Sequence, residues 1–354
     1  MDAAAARSAT ISPRGLAPLS AGAAAAFLAL AVTVGVLVGP IDLGIGPVLS
    51  SIGERLHMPR VSSSLSATEE SILWDIRMPR VVLAALVGGT LALAGATYQG
   101  VFRNPLADPY LLGVAAGAGL GATLAIAYLP HGLRGQELIP MAAFVGGTAA
   151  VGLTYSVGRS AGRERDAATL VLAGVTVASF FTALQTFVQQ QNADLQQQVF
   201  NWILGSIPSS GWSDVVLVLP YVAVAAGVML AHRRVVDVLN LGDDEATSLG
   251  VDVRRTRLLL VAAATVGTAA AVSISGLIAF VGIIVPHAIR LLVGTGYRAL
   301  LPLSVVAGAG FLVLADVIAR TALAPAEVPL GVVTAFFGAP FFALVLRTTR
   351  GGTT

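Results

Sequence analysis

The chain has 354 residues, 56% of them hydrophobic and 11% charged, with a mean hydropathy of +0.83; soluble domains carry about 25% charged residues, so a soluble fold is excluded. All 21 basic residues are arginine, which excludes a P-loop, whose lysine must reach the nucleotide phosphates; any ATP used is bound by another chain. A net charge of +2 makes no case for nucleic acid, and the absence of cysteine excludes disulfides, thiolate metal sites and thiol nucleophiles.

Ten apolar runs have the length of roughly 17–25 residues that crosses a bilayer: near 21–39, 81–98, 111–129, 140–157, 169–188, 213–231, 256–273, 276–294, 300–319 and 331–347. The first follows a short basic tail, residues 1–20, and reads as an uncleaved helix rather than a signal peptide. Residues 40–80 then form an external segment, with a surface helix expected around Pro47 to Leu56 and WDIRMPR at its end. Between the second and third runs, Pro105 and Pro109 act as helix breakers, with Asp108 before the second. The stretch QQQNADLQQQVFNWILGS is amide-rich and then apolar for less than a span. It fits either a short helix at the membrane face or the lining of a pore mouth. Glycine pairs such as Gly88-Gly89 and Gly146-Gly147 suit close helix packing in lipid.

The island from His232 to Arg257 separates two apolar runs. Asp243, Asp244 and Glu245 open one or two helical turns that Gly250 closes, and Asp252 is placed to cap a second helix through Arg254, Arg255 and Arg257. Short capped helices in a polar loop have the form of a docking surface. With an even number of spans the termini share a side. Arg55, Arg60, Arg77, Arg80, Arg134 and Arg320 fall on one face and the remaining fifteen of the 21 arginines on the other. The positive-inside rule makes the richer face, with the 232–257 island and both termini, cytoplasmic.

Little in the chain points to chemistry. His57, His131, His232 and His287 are scattered, with no HExxH and no pair at ligand spacing, and no GxSxG elbow occurs. The main ionisable residues inside spans are Asp316 and Arg320, whose i, i+4 spacing favours a local ion pair over an ion-coupling role. His287 follows Pro286, where a kinked helix with a satisfied polar group is favoured over a substrate ligand.

Four blocks, in order, carry a family resemblance: RMPRVVLAALVGGTLALAGATYQGVFRNPLADPYLLGVAAGAGLGA, LGDDEATSLGVDV, SGLIAFVGIIVPHAIRLLVG and LADVIARTALAPAEVPLGVVTAFFGAPFFALVL. They resemble the FecCD-type permease subunits of type II ABC importers, which take up ferric siderophores, haem and cobalamin; the match runs from about Trp74 to the C-terminus. The resemblance implies an all-α polytopic fold of about ten transmembrane helices, one permease domain over residues 1–354, in a bacterial cytoplasmic membrane. It implies as partners a second permease copy, two cytoplasmic ATPase subunits holding ATP and Mg, and an extracytoplasmic substrate-binding protein. No cofactor is expected on this chain and no catalysis by it.

By the same resemblance, Asp243, Asp244, Glu245, Ala246, Ser248, Leu249, Gly250 and Val251 form the ATPase-coupling segment. Arg77, Arg80 and Arg320 match positions that dock the binding protein. Gly282, Pro286 and His287 belong to the gate or pathway, with a cavity receiving the fifth span, residues 276–290 and the last span. The competing class is an ion-coupled secondary transporter, which would depend on Asp316.

Overall fold

The computed structural model describes residues 13–58, 62–129, 138–160, 167–207 and 211–350. The first 12 residues of the expected tail, His131, and Arg7, Arg60, Arg134, Arg163 and Arg165 lie outside the described residues. The elements in chain order are α1 (Pro13–Leu37), α2 (Ile45–Arg55), α3 (Ala67–Ser71), α4 (Met78–Val101), α5 (Val114–Tyr128), α6 (Leu138–Ser160), α7 (Ala167–Gln191) and α8 (Gln196–Ile203). They continue with α9 (Trp212–Ala231), α10 (Arg233–Leu239), α11 (Asp243–Ser248), α12 (Val253–Ser275), α13 (Val281–Val293), α14 (Tyr297–Thr321) and α15 (Leu330–Arg350).

Small residues decide which helix sits at the centre. A Cβ on Gly88 would lie 2.3 Å from the Gly308 carbonyl oxygen, and one on Gly308 would lie 2.5 Å from that of Gly88, so α4 and α14 touch backbone to backbone. One face further round, a Cβ on Gly95 would meet the Gly282 carbonyl oxygen at 2.0 Å, which sets α13 against α4. In lipid there is little hydrophobic drive between helices, and dispersion across such close crossings takes its place. α4 is accordingly buried along nearly its whole length, packed by α9, α12, α13 and α14. Gly117 on α5 and the Gly146 carbonyl on α6, 2.2 Å from the ideal Cβ position, repeat the device.

Among the described residues, six helical stretches are long and apolar enough to cross a membrane: 67–101, 138–160, 168–191, 212–231, 253–275 and 297–321. Of the remaining four expected spans, α5 and α13 are short apolar helices of 15 and 13 residues, whereas α1 and α15 run for 25 and 21 residues with apolar stretches at 21–37 and 330–345. The all-helical membrane fold is as expected, with six clear apolar spans where about ten were expected. At about 1.5 Å per residue, the 13 residues of α13 cover only about 20 Å of a hydrocarbon core of about 30 Å.

The missing part of that span is the non-helical stretch 276–280, bounded by Gly276 (φ 66°) and by Phe280, a non-glycine residue at φ 70°. Irregular backbone at membrane depth must find its partners in protein. Here the Tyr110 hydroxyl supplies them, donating to the Ile278 carbonyl at 3.0 Å and accepting the Ile278 N–H at 3.2 Å.

Outside the spans, the expected surface helix is α2. It is tied to α3 through Glu70, which accepts hydroxyl donors from Ser51 (2.8 Å) and Ser63. Ser66 and Glu69 form a capping box that starts α3. From there the helix continues through a π segment, Ile72–Arg77, into α4.

Candidate functional site

The polar island lies at the C-terminal end of α4. A helix absent from the sequence expectation, α10, packs there: a Cβ on Gly100 would strike Val236 Cγ1 at 2.2 Å, and Asn240 Nδ2 donates to the Gly100 carbonyl at 3.3 Å. Asp237 on α10 accepts the backbone N–H groups of Tyr297 (2.6 Å) and Arg298 (3.3 Å), so α10 caps α14 from outside its own chain segment. The buried Val236 and Leu239, three apart, were the available signal for α10.

α11 forms as its end signals require. The Val251 N–H reaches the Ala246 carbonyl at 3.0 Å and the Gly250 N–H that of Thr247 at 2.9 Å, the paired bonds of a Schellman stop, with Gly250 at φ 83°. Asp252 caps α12, its Oδ1 accepting the Arg255 N–H at 3.0 Å. Asp243 fixes α11 to the bundle by accepting from Arg103 at 2.8 Å and Arg257 at 3.0 Å. Asp244, Glu245, Thr247, Ser248, Leu249 and Gly250 are left exposed, and Val251 half-buried.

Two expected contact residues thus have other surroundings. Ala246 is fully buried and faces the bundle, and the Asp243 carboxylate is already held by arginines. Thr247, which the sequence reading left out, lies on the exposed face.

α13 carries Gly282, Pro286 and His287. A Cβ on Gly282 would meet Pro109 Cδ at 2.6 Å, so the breaker loop between α4 and α5 seats directly on the first turn of α13. The half-buried His287 ring stands edge-on to Phe341 of α15, centroids 5.9 Å apart. Beside α13 an open, mainly apolar cleft of about 510 Å³ is lined by Ile203 and Leu204, Leu277 and Ala279, and Gly331, Val332, Ala335 and Phe336. The cleft is formed by residues from 276–280, the last helix and the end of α8. The amide-rich segment contains the short helix α8, whose apolar end, Ile203 and Leu204, borders this cleft.

At the other end of α4, the three arginines expected to dock the binding protein come together, all buried: Arg77 is 4% exposed, Arg80 6% and Arg320 3%. Arg77 donates to the carbonyls of Val36 (2.9 Å), Leu37 (3.1 Å) and Ile41 (2.7 Å), and Arg320 to that of Gly35 (2.5 Å). Two cations therefore satisfy the orphan carbonyls at the C-terminus of α1, where the helix dipole favours them. Gly39 is needed for this, since a Cβ there would lie 2.6 Å from the Arg77 guanidinium.

Arg80 grips Asp316 through Nε (3.0 Å) and Nη2 (2.9 Å), and Glu327 through Nη1 (2.7 Å) and Nη2 (2.9 Å). The expected local pair is the looser one: Arg320 Nε stands 3.7 Å from Asp316. Glu327 was not singled out in the sequence, although an acid between two apolar stretches is a signal in itself. Donation by Arg80 holds its carboxyl below the usual glutamate range, against a smaller opposing effect of burial.

An all-helical bundle of apolar spans, with a rigidly capped polar loop at one end and an arginine cluster at the other, is a membrane permease in form. Residues 27–348 match the model of the FecCD transport family, and the chain belongs to that family. It is 38% identical to the ABC transporter permease protein YvrB of Bacillus subtilis, over 92% of this chain and 93% of that one. It is 44% identical to the cobalamin import system permease protein BtuC of Halobacterium salinarum, over 79% and 74%. A structure described as a metal-chelate type ABC transporter in an inward-facing conformation superposes with a TM-score of 0.81 at 27% identity, covering 94% of this chain and 99% of that one. The chain is thus the permease component of an ABC importer, and ATP hydrolysis belongs to a separate subunit.

Proposed function

We propose that the chain moves an iron-siderophore, haem or cobalamin-type ligand from an extracytoplasmic binding protein into the cytoplasm by alternating access. It works as ten spans per subunit in a permease homodimer above two ATPase subunits that hold ATP and Mg, in a bacterial cytoplasmic membrane with both termini inside. The observation that carries this is the island: α11 is stopped by Gly250, bolted by Asp243 to Arg103 and Arg257, and presents Glu245, Ser248 and Leu249 to solvent. A small rigid body so held transmits a push on its exposed face to α12 and, through α10, to α14. Relatives named for cobalamin, hemin and ferric hydroxamate uptake support the ligand class.

Gly282, Pro286 and His287 then belong to a gate beside the apolar cleft, whose lining suits passage more than retention. Arg77, Arg80 and Arg320 serve the docking end by holding α1, α4 and α14 in one frame. The half-exposed Glu327 covers Arg80, and a carboxylate of the binding protein would take its place. An ion-coupled carrier needs a carboxylate that gains and loses its counter-ion, and Asp316 is held by a buried arginine. The test is reconstitution with the cognate ATPase and binding protein: ligand uptake should require ATP hydrolysis. Uptake that follows an ion gradient without ATP would replace this reading.

A further inference from the structure

Pro286 stands inside α13 and has no N–H to return to the carbonyl four residues earlier, that of Gly282. In lipid or protein interior, a carbonyl left without a donor carries a penalty, since no water replaces the lost bond. The side chain of Gln99, on α4 and 1% exposed, donates through Nε2 to this carbonyl at 3.1 Å. Its other amide atom is engaged too: Oε1 accepts from Arg290 Nη2 at 2.8 Å, and Arg290 lies in the last turn of the same helix.

The notch that allows this is built from one face of α4. Gly95, one turn before Gln99, has no side chain, so the Gly282 carbonyl comes to within 2.0 Å of its ideal Cβ position. On the far side Pro109 closes against Gly282. One residue of α4 therefore spans α13 from its first turn to its last.

We infer that Gln99 is the positioning residue of α13: its amide stands in for the N–H that Pro286 lacks and fastens the proline-interrupted helix to α4. α13 cannot swing about Gly282 and Pro286 without breaking this bond. The consequence for gating rests on the assignment of α13 to the gate; the brace itself does not.

A double-mutant cycle on the purified chain in nanodiscs tests it. Gln99→Leu should speed amide hydrogen exchange at α13 residues 284–290 by roughly tenfold, as expected for a buried acceptor losing its donor. Pro286→Ala returns an N–H to the Gly282 carbonyl, so in that background the same substitution should change exchange much less. Gln99→Glu, which keeps an acceptor for Arg290 but has no donor, should behave as Gln99→Leu does, and it serves if the leucine variant does not fold. Equal effects of the Gln99 substitutions with and without Pro286 would overturn the brace. Ligand-stimulated ATP hydrolysis in the assembled importer is read separately: if the cycle is non-additive and coupling is unchanged by Gln99→Glu, the brace stands and the gate assignment fails.

Discussion

Arg80 and Asp316 meet at 2.9 Å with 6% and 1% of their side chains exposed, although 236 residues separate them. The pair ties the start of α4 to the end of α14, helices that the Gly88–Gly308 crossing has already brought into contact. Removing Arg80 leaves the buried Asp316 with only Arg320, at 3.7 Å. Arg80→Leu is expected to destabilise the chain by about 3–5 kcal/mol, and Arg80→Leu combined with Asp316→Leu to recover most of that loss. Thermal unfolding of the single and double variants in detergent checks it; equal losses in both would deny the pair a structural role.

Strong acid should release Glu327 from Arg80. Its carboxyl is held below the usual glutamate value of about 4.3 by donation from Arg80. A depressed folded-state pKa contributes stability that is present above the unfolded value and is lost as pH falls through the folded one. The melting temperature of the wild type should therefore exceed that of Glu327→Gln at pH 7, with the gap closing below about pH 4. A gap that stays constant down to pH 3 would show that the charge contributes nothing.

Asp243→Asn separates stability from coupling. Its partners Arg103 and Arg257 are 43% and 16% exposed, and such pairs are worth on the order of 0.2–1 kcal/mol each. Melting should shift little. Ligand-stimulated ATP hydrolysis in the assembled importer should fall several-fold, because α11 is no longer bolted to α4 and α12. Wild-type stimulation would reduce the ion pairs to surface decoration.

Gly250→Val attacks the same element from its other end. At φ 83° a side chain costs roughly 1–2 kcal/mol, although the space around it is open. The strain is local, so binding-protein docking at the opposite end should be unchanged while transport per ATP hydrolysed drops. The paired measurements are binding-protein affinity and the transport-to-hydrolysis ratio; an unaltered ratio would return α11 to the status of a connector.

The local devices were legible in the residues themselves. Gly250 ends α11 and Asp252 starts α12 because a positive φ and an N-cap oxygen are one-residue properties that need no distant partner. The glycine pairs read as packing positions, and Gly88 and Gly146 serve as such. Less legible was anything requiring a partner from another helix. Arg320 was read with Asp316 from spacing alone, whereas the tighter partner of Asp316 is Arg80, brought to it by the α4–α14 crossing.

Length, hydropathy and the distribution of arginine by themselves determined a polytopic helical membrane protein, its apolar helices in order and its polar island, because bilayer thickness and helix rise are universal constraints on any chain. Tertiary structure alone decided which of those helices stay short, that two arginines close the end of α1, that Ala246 faces inward and that Gln99 meets the carbonyl freed by Pro286. The arginine and glutamine contacts depend on one side chain reaching a backbone carbonyl tens to hundreds of residues away, and only packing sets that distance.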